Sequence, residues 1–398
     1  MSFAGILGAL AAHRGVAETG GHPEPLARME YERELELKQE ALEAFWAEHG
    51  LPGLPQPLVA APRPRGYRTT SKRRVIFHKG KISLDFPGLH GSPGSLAPSI
   101  LDDPSHEVVY RTVLRFFTRP SFQALAAALN HVIVRGQGEM LALILNVRVF
   151  DAAVVRGAKL LGEAVRAAGN GVQAAFVYLD PRGSDYYLEA RRPAGGISFK
   201  RLFGADWLSV EADGRRLRFP VTAFSQVNSA MLPALIRAVA ELLGPVSGRA
   251  LLDLYCGYGL FALTVGAQAA RVVGVDYAGP AIEAAQGNAR HLGFGHRARF
   301  IAGSIDAAWL ERRLGAPAER ELVVLDPPRQ GTAPRVAVVL ARRRPERVVH
   351  LCCGTDEIPR ELAAWSAAGF RLTRAVPLDL FAGTANLETL LALAPVSA

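Results

Sequence analysis

The stretch "ALLDLYCGYGLF", from Ala250 to Phe261, joins a short apolar run to a turn that contains two glycines. A run that is apolar on both faces is typical of a strand in a parallel sheet covered on both sides. Gly257 and Gly259 allow a tight turn in which the backbone can approach a ligand at the start of the next helix. The stretch therefore predicts a strand, a ligand-binding turn and a helix, the first unit of a doubly wound α/β fold.

Four further apolar runs follow at intervals that leave room for helices: "RVVGVDYA", "ARFIAG", "ELVVLDPP" and "RVVHLCCG". This alternation predicts a Rossmann-like α/β domain over residues 221–398. Residues 61–220 mix strand-like runs, such as "DYYLEA", with helical ones, such as "SFQALAAALNHVIV", and we interpret them as an α+β middle domain. Residues 1–60 hold an acidic amphipathic helix, which we expect to pack on the body, and a proline-rich connector.

Composition limits the cellular setting. Three cysteines in 398 residues exclude a disulfide framework and favour a reducing compartment. No leader pattern or long apolar run is present, so we expect a cytoplasmic protein without membrane contact. The net charge of +9 and the pI near 9.7 suit a protein that binds a polyanion.

The positive charge is concentrated in one segment. Arg63–Lys81 contains eight basic residues and no acidic one, with Tyr67 and Phe77 available for stacking on bases. This composition favours a phosphate-binding, RNA-facing segment, although a solvated basic loop has the same composition.

Polar residues stand directly after the predicted strands, where ligands bind in such sheets. Asp276 follows the glycine turn by about twenty residues and can accept hydrogen bonds from two ribose hydroxyls. The third glycine of the dinucleotide fingerprint is missing, which disfavours a nicotinamide dehydrogenase. In "LDPPRQG" two prolines stiffen the loop that begins at Asp326, so its carboxylate can bind the hydrogen-bonding edge of a planar base.

The run "HLCCGTDEIPREL", His350 to Leu362, places two cysteines side by side after a predicted strand. Adjacent cysteines rarely form a disulfide, because its geometry requires a Cα separation that one peptide unit cannot give without strain. At least one of these thiols is therefore a candidate for chemistry.

The order of motifs from "FSQVN" to "LDLFAGTANLET", within Val221–Thr389, resembles the uracil-C5 RNA methyltransferase family. The resemblance implies S-adenosylmethionine as methyl donor and a uridine of transfer or ribosomal RNA as target. It also implies that Cys353 is the nucleophile and that Glu388 abstracts a proton, with Cys352 only a neighbour. The positions implied to line the donor or the target base are Gln226, Tyr255, Gly257, Gly259, Leu260, Asp276 and Asp326.

The sequence departs from the family pattern near the predicted pocket. Gly354 and Thr355 replace the usual Asn-Pro, and Leu260 stands where asparagine is common. In the last motif, Ala382, Gly383 and Asn386 replace Pro, His and His. With Cys256 the only cysteine outside the pair, we expect no iron–sulfur cluster and no metal, and we expect a monomer.

Methylation of uracil at C5 requires the two predicted catalytic groups, a thiol and a base. Thiolate addition to C6 makes C5 nucleophilic, and after methyl transfer a base must remove the C5 proton before the thiol can leave. A target inside folded RNA must also be flipped out of its stack. Two alternatives stay open: an amino-group methyltransferase that uses the "DPPR" loop without a thiol, and an RNA-binding protein whose methyltransferase half is inactive.

Overall fold

The computed structural model describes residues 1–16, 22–78, 81–86, 92, 94–181, 183 and 198–396. Its helices are α1 (Phe3–His13), α2 (Tyr31–Glu48), α3 (Pro104–Phe117), α4 (Gln123–Ala128), α5 (Ala152–Ala167), α6 (Leu232–Leu243), α7 (Leu260–Leu263), α8 (Pro280–His291), α9 (Ala307–Arg313), α10 (Val336–Arg342) and α11 (Ile358–Ala367). Its strands are β1 (Thr70–His78), β2 (Lys81–Asp85), β3 (Leu129–Gln137), β4 (Met140–Val147), β5 (Val172–Leu179), β6 (Phe199–Phe203), β7 (Trp207–Ala212), β8 (Arg215–Pro220), β9 (Ala250–Leu254), β10 (Arg271–Asp276), β11 (Ala298–Ala302), β12 (Glu321–Leu325), β13 (Arg347–Cys352), β14 (Phe370–Leu378) and β15 (Glu388–Pro395).

The C-terminal half forms a seven-stranded sheet in the order β11-β10-β9-β12-β13-β15-β14. The five strands predicted from the apolar runs are β9 to β13, and they pair in parallel. β14 and β15 add an antiparallel hairpin beside β13. The strand order reverses between β9 and β12, so the crevice for a ligand lies at the carboxyl ends of these two strands. This architecture confirms the predicted Rossmann-like α/β fold.

The middle of the chain forms a second sheet, in the order β2-β1-β3-β4-β5-β6. Only β4 and β5 pair in parallel; the other neighbours are antiparallel. Apolar side chains of α3, α4 and α5 bury one face of this sheet. The α+β character predicted for this region is present in the structure.

One predicted helix of the middle region is wrong in its second half. The run Ser121–Val134 was expected to be helical throughout, but α4 ends at Ala128 and β3 begins at Leu129. The β-branched residues Val132, Ile133 and Val134 are favoured in strands, and all three are buried in the sheet. The predicted strand "DYYLEA" lies outside the described residues.

The N-terminal helices pack on the seven-stranded sheet. Phe45 and Trp46 of α2 belong to the same buried cluster as Leu254 of β9 and Leu325 of β12. The proline-rich connector then runs along the edge strand β14, where the amide of Val59 donates to the carbonyl of Pro377 at 2.9 Å. The packing predicted for the acidic helix is therefore present. No helix in the described part of the chain is long and apolar enough to cross a membrane.

A buried side chain of α8 bonds the small hairpin β7–β8 to the C-terminal half of the chain. Asn288 of α8 accepts from the amide of Arg218 at 3.0 Å and donates to the carbonyl of Arg218 at 2.8 Å. The same amide nitrogen donates to the carbonyl of Tyr258 at 3.0 Å. Asn288 thus links the hairpin directly to the glycine turn.

Candidate active site

The glycine turn after β9 has the backbone geometry that its sequence requires. Gly257 and Gly259 have φ angles of 54° and 91°, in the region that favours glycine. A Cβ atom added to Gly259 would lie 2.9 Å from the Leu263 side chain, so larger residues do not fit there. Tyr255 also has a positive φ, 63°, which is uncommon for a bulky residue and is found most often at functional sites.

Asp276 closes this turn from the end of β10. Its carboxylate accepts from the amide of Gly257 at 2.6 Å and from the amide of Tyr277 at 2.6 Å. Each carboxylate oxygen has two lone pairs and can accept from more than one donor. Asp276 is half-buried and Tyr277 beside it is 55% exposed, so the turn opens towards solvent.

Asp253 is a buried acid at this turn that sequence reasoning missed. One carboxylate oxygen accepts from the amide of Ala262 at 2.8 Å, while the other has no hydrogen-bond partner within the described residues. Burial, helped by the charges of Asp326 and Asp276, raises the pKa of Asp253 well above its usual value. Its place within "LLDLYCGYG", two residues before Tyr255, was the only signal in the sequence.

Leu260 packs beneath the turn. Its side chain is buried in the core, with 6% exposed. The apolar residue that replaces asparagine here supports the packing of α7, and only its main chain lies at the turn.

Cys353 and Glu388 are brought together by the pairing of β13 with β15. Cys352 lies opposite Thr389 in this antiparallel register, so extending the pairing by one residue places Cys353 opposite Glu388. Cross-strand partners point to the same face of a sheet. Cys353 is half-buried, whereas Cys352 is 3% exposed and packs in the core. The structure thus gives the two thiols different environments.

The "DPPR" loop completes this edge. The Cys353 sulfur lies 4.0 Å from the carbonyl oxygen of Pro327, and Gln226 donates to the Asp326 carboxylate at 3.4 Å. The far end of the loop is fixed to α11, because Glu361 accepts from the amide and the hydroxyl of Thr332 at 3.0 and 2.6 Å. Asp326 and Gln226 therefore lie on the same rim as the cysteine.

The electrostatics of this rim favour protonated acids. Burial, together with the charge of Asp276, raises the pKa of Asp326 to about 7. Burial and the charge of Asp326 raise the pKa of Glu388 well above its usual value, and one of its oxygens has no hydrogen-bond partner within the described residues. Burial and the charges of Glu388 and Asp326 likewise raise the pKa of the Cys353 thiol.

Arg329 is a second residue that sequence reasoning missed. It is the third residue after Asp326, is exposed, and is the cation that lowers the pKa of both Cys353 and Glu388 against the effect of burial. Its position in "DPPRQG" was visible in the sequence, but its distance from the cysteine depended on the fold.

The predicted basic segment needs correction. Tyr67 is buried, with its hydroxyl donating to the carbonyl of Ala382 at 2.8 Å, and is not available for stacking. Arg73 is 2% exposed and donates to Asp102 at 2.6 Å. Arg65 and Arg68 pair with Glu34 and Glu24, so much of the positive charge in this segment is neutralised inside the protein. Arg74 and Lys81 are exposed, and Phe77 is 39% exposed.

Comparison with known proteins identifies the family. Residues 185–395, more than half of the chain, match the family model described as tRNA (Uracil-5-)-methyltransferase. The chain therefore belongs to the tRNA (uracil-5-)-methyltransferase family.

Two relatives illustrate the extent of the similarity. A protein of Gloeobacter violaceus described as an uncharacterized RNA methyltransferase is 28% identical over 382 residues, covering 90% of this chain and 78% of that protein. The 23S rRNA (uracil(1939)-C(5))-methyltransferase RlmD of Edwardsiella ictaluri is 32% identical over 218 residues, covering 55% of this chain and 48% of that protein. Against several other relatives the alignment likewise spans less than half of their length.

A solved structure has the same fold. The tRNA (uracil-54, C5)-methyltransferase of Pyrococcus abyssi, in complex with S-adenosyl-L-homocysteine, matches with a TM-score of 0.66 and 19% identity. The match covers 93% of this chain and 85% of that chain.

Proposed function

We propose that this protein methylates C5 of a uracil in structured RNA, with S-adenosylmethionine as donor and a covalent cysteine adduct as intermediate. The observation that supports the proposal is the pairing of β13 with β15, whose last pair, Cys352 and Thr389, adjoins Cys353 and Glu388 at the carboxyl edge of the sheet. A thiol and a general base on one rim are the two groups that this reaction requires.

The glycine turn is the proposed donor site. S-adenosylmethionine supplies an electrophilic methyl group when bound. Asp276 accepts from its ribose hydroxyls, and the open turn at Gly257 gives the backbone close access to the ligand.

We propose that the "DPPR" loop and Gln226 recognise the target base by hydrogen bonds. Asp326 accepts from the N3–H of uracil, and Gln226, already in contact with Asp326, offers an amide to a carbonyl oxygen of the ring. This use of Asp326 requires its ionised form, which is accessible near neutral pH because its pKa is about 7.

The proposed reaction then follows from the positions of the two catalytic groups. The Cys353 thiolate adds to C6, and the electron pair of the C5–C6 double bond moves to C5. C5 forms its new bond to the donor methyl as the methyl–sulfur bond of the donor breaks and S-adenosyl-L-homocysteine leaves. Glu388 removes the C5 proton, the C5–C6 double bond re-forms, and the Cys353 thiolate leaves. Arg329 favours the thiolate, since its charge lowers the pKa of Cys353.

RNA binding rests on exposed groups of the middle region. Arg74 and Lys81 lie on neighbouring strands, and Trp207 of the hairpin is 49% exposed with the Arg218 guanidinium 5.5 Å from its ring centre. Exposed cations and aromatic rings are the groups that contact phosphates and unstacked bases. Asn288 links the hairpin to Tyr258 of the glycine turn, which supports a role for the hairpin beside the proposed donor site.

The test is trapping with RNA that carries 5-fluorouridine at the target. Fluorine at C5 cannot leave as a proton, so the adduct with Cys353 persists and migrates as a protein–RNA complex on denaturing gels. We expect Cys353→Ala to abolish both the complex and methylation.

Cys352→Ala is the matched control, since it removes a thiol one residue away. We expect this variant to keep both activities, with only a modest loss of stability from removal of the buried sulfur. Methylation that persists in Cys353→Ala would instead favour an amino-group methyltransferase, which needs no thiol. Donor binding without turnover on any cellular RNA fraction would favour an inactive methyltransferase domain.

A further inference from the structure

The loop between β14 and β15, residues 379–387, leads directly into Glu388 and is held by distant parts of the chain. The carbonyl of Leu380 accepts from Asn228 at 3.1 Å, and the carbonyl of Ala382 accepts from the Tyr67 hydroxyl at 2.8 Å. The carbonyl of Gly383 accepts from the amide of Leu26 at 3.1 Å. Besides its internal bonds, the backbone of this loop therefore depends on side chains and backbone groups outside it.

Helix α2 provides the strongest of these contacts through two buried charged residues one turn apart. The Lys38 ammonium lies 2.7 Å from the Glu34 carboxylate and 2.7 Å from the Asp379 carboxylate, and it donates to the carbonyl of Phe381 at 3.3 Å. Glu34 also accepts from the amide of Gly383. Both helix residues thus bind the loop backbone directly as well as each other.

The cluster is closed and balanced in charge. Arg65 donates to Glu34 at 2.9 Å, and the Tyr31 hydroxyl donates to Asp379 at 3.0 Å. The side chains of Glu34, Lys38 and Asp379 are 0% exposed. Burying two cations and two anions costs desolvation energy that well-packed apolar residues would avoid, so stability alone is a poor reason for this arrangement. What it provides is a fixed geometry.

Gly383 shows that the loop and the N-terminal segment are fitted to each other. Its φ of 83° favours glycine, and an added Cβ would lie 2.6 Å from the Leu101 side chain and 3.1 Å from the Cα of Ala27. The space that a side chain at this position would need is occupied by residues from the N-terminal third of the chain.

We infer that Glu34 and Lys38 are positioning residues for the proposed base Glu388, acting through the 379–387 loop. The inference rests on the proposed function. Glu34 and Lys38 affect the rate at which Glu388 removes the C5 proton, because the cluster fixes the backbone just before Glu388. Adduct formation by Cys353, which is positioned by β13 and the "DPPR" loop, does not depend on it.

The test compares Lys38→Met with the double variant Lys38→Met/Asp379→Asn. The single change leaves a buried charge without its partner and should lower the melting temperature, whereas the double change restores the charge balance. In the double variant we expect the melting temperature to recover and the 5-fluorouridine adduct to form at the wild-type rate. Release of methylated RNA should still be slower by about tenfold or more, because displacement of a catalytic group by an ångström is costly.

Arg33→Met is the matched control, since it removes an exposed cation from the same helix. We expect wild-type adduct formation and release from it. Tyr67→Phe is an independent variant that keeps the packing and removes the hydroxyl that bonds the carbonyl of Ala382 and interacts with Arg68. We expect it to slow release several-fold with adduct formation unchanged.

The inference is overturned if release recovers together with the melting temperature in the double variant, or if release is normal in Tyr67→Phe. Either result, obtained while the adduct still depends on Cys353, leaves the proposed function intact. Failure of the proposed function has a different signature, which is methylation that continues in Cys353→Ala.

Discussion

Two parts of the proposed site at the carboxyl edge of the sheet are held together in different ways. We call the glycine turn with Asp276 the donor half, and Cys353 with Glu388 and the loop before it the reaction half. In the donor half, Asp276 bonds Gly257 and Asp253 bonds Ala262, pairs that lie 19 and 9 positions apart in the chain. In the reaction half, the loop before Glu388 is held by residues more than 150 positions away, such as Asn228 and Glu34. The donor half is therefore encoded by a local motif, while the reaction half exists only once the whole chain has folded.

The largest effect is expected from a substitution of Glu388, the proposed general base in the reaction half. Glu388→Gln keeps the size of the side chain but removes its capacity to accept a proton. We expect release to slow by about 10²–10⁴-fold, the usual contribution of a general base, while adduct formation and methyl transfer continue. A methylated protein–RNA complex should then accumulate on denaturing gels even with ordinary uridine.

Donor affinity is the control for this variant. Since Glu388 lies outside the donor half, calorimetry should give an unchanged dissociation constant for S-adenosylmethionine. Free methylated RNA released at the wild-type rate by Glu388→Gln would remove Glu388 from the mechanism.

Asp326 lies between the donor half and the reaction half. The pH at which its carboxyl group loses a proton can be tested through the stability of the protein. Its pKa of about 7 in the folded protein exceeds the usual value near 4, so the folded state prefers the protonated form. Its contribution to stability is therefore full below about pH 4 and is lost as pH rises through about 7. Asp326→Asn should remove this loss, so that its melting temperature relative to the wild type rises between pH 5 and pH 8.

The same variant should lose activity. A neutral amide is a weaker acceptor for the N3–H of uracil, and we expect kcat/KM to fall by about 10–100-fold, the worth of a charge-assisted hydrogen bond. Glu319→Gln, at an exposed carboxylate shortly before β12, should change neither quantity. A melting difference for Asp326→Asn that does not vary with pH would mean that Asp326 is ionised throughout this range.

The contrast between the two halves also explains which features of the fold and the site could be predicted from the sequence. The strands β9 to β13 and their terminal motifs were predictable, because short apolar runs and glycine turns are local signals. The burial of Arg73 and Tyr67 was not, because their partners Asp102 and Ala382 are distant in the chain. A run of positive charges gives no sign of which members pair internally.

The donor half should respond to a single change in a graded way. Asp276→Ala removes the proposed acceptor for the ribose hydroxyls together with the bonds to Gly257 and Tyr277. We expect donor binding to weaken by about 1–3 kcal/mol, or roughly 5–150-fold, as measured by calorimetry with S-adenosylmethionine. Glu283→Gln, at an exposed carboxylate in the first turn of α8, is the control and should bind normally. Equal affinity in both variants would place the donor elsewhere.

The smallest effect is expected outside both halves, on the surface of the middle sheet. Arg74 and Lys81 are exposed, whereas Arg73 between Lys72 and Arg74 is bonded to Asp102, so only the exposed pair is suitable for charge reversal. In Arg74→Glu/Lys81→Glu we expect RNA affinity to fall and the slope of log affinity against log salt to decrease by about one for each lost phosphate contact. Arg371→Glu on β14, at the end of the strand away from Glu388, is the matched control and should keep the wild-type slope. If all three proteins have the same slope, the RNA does not follow β1 and β2, and the hairpin with Trp207 and Arg218 becomes the next surface to test by the same measurement.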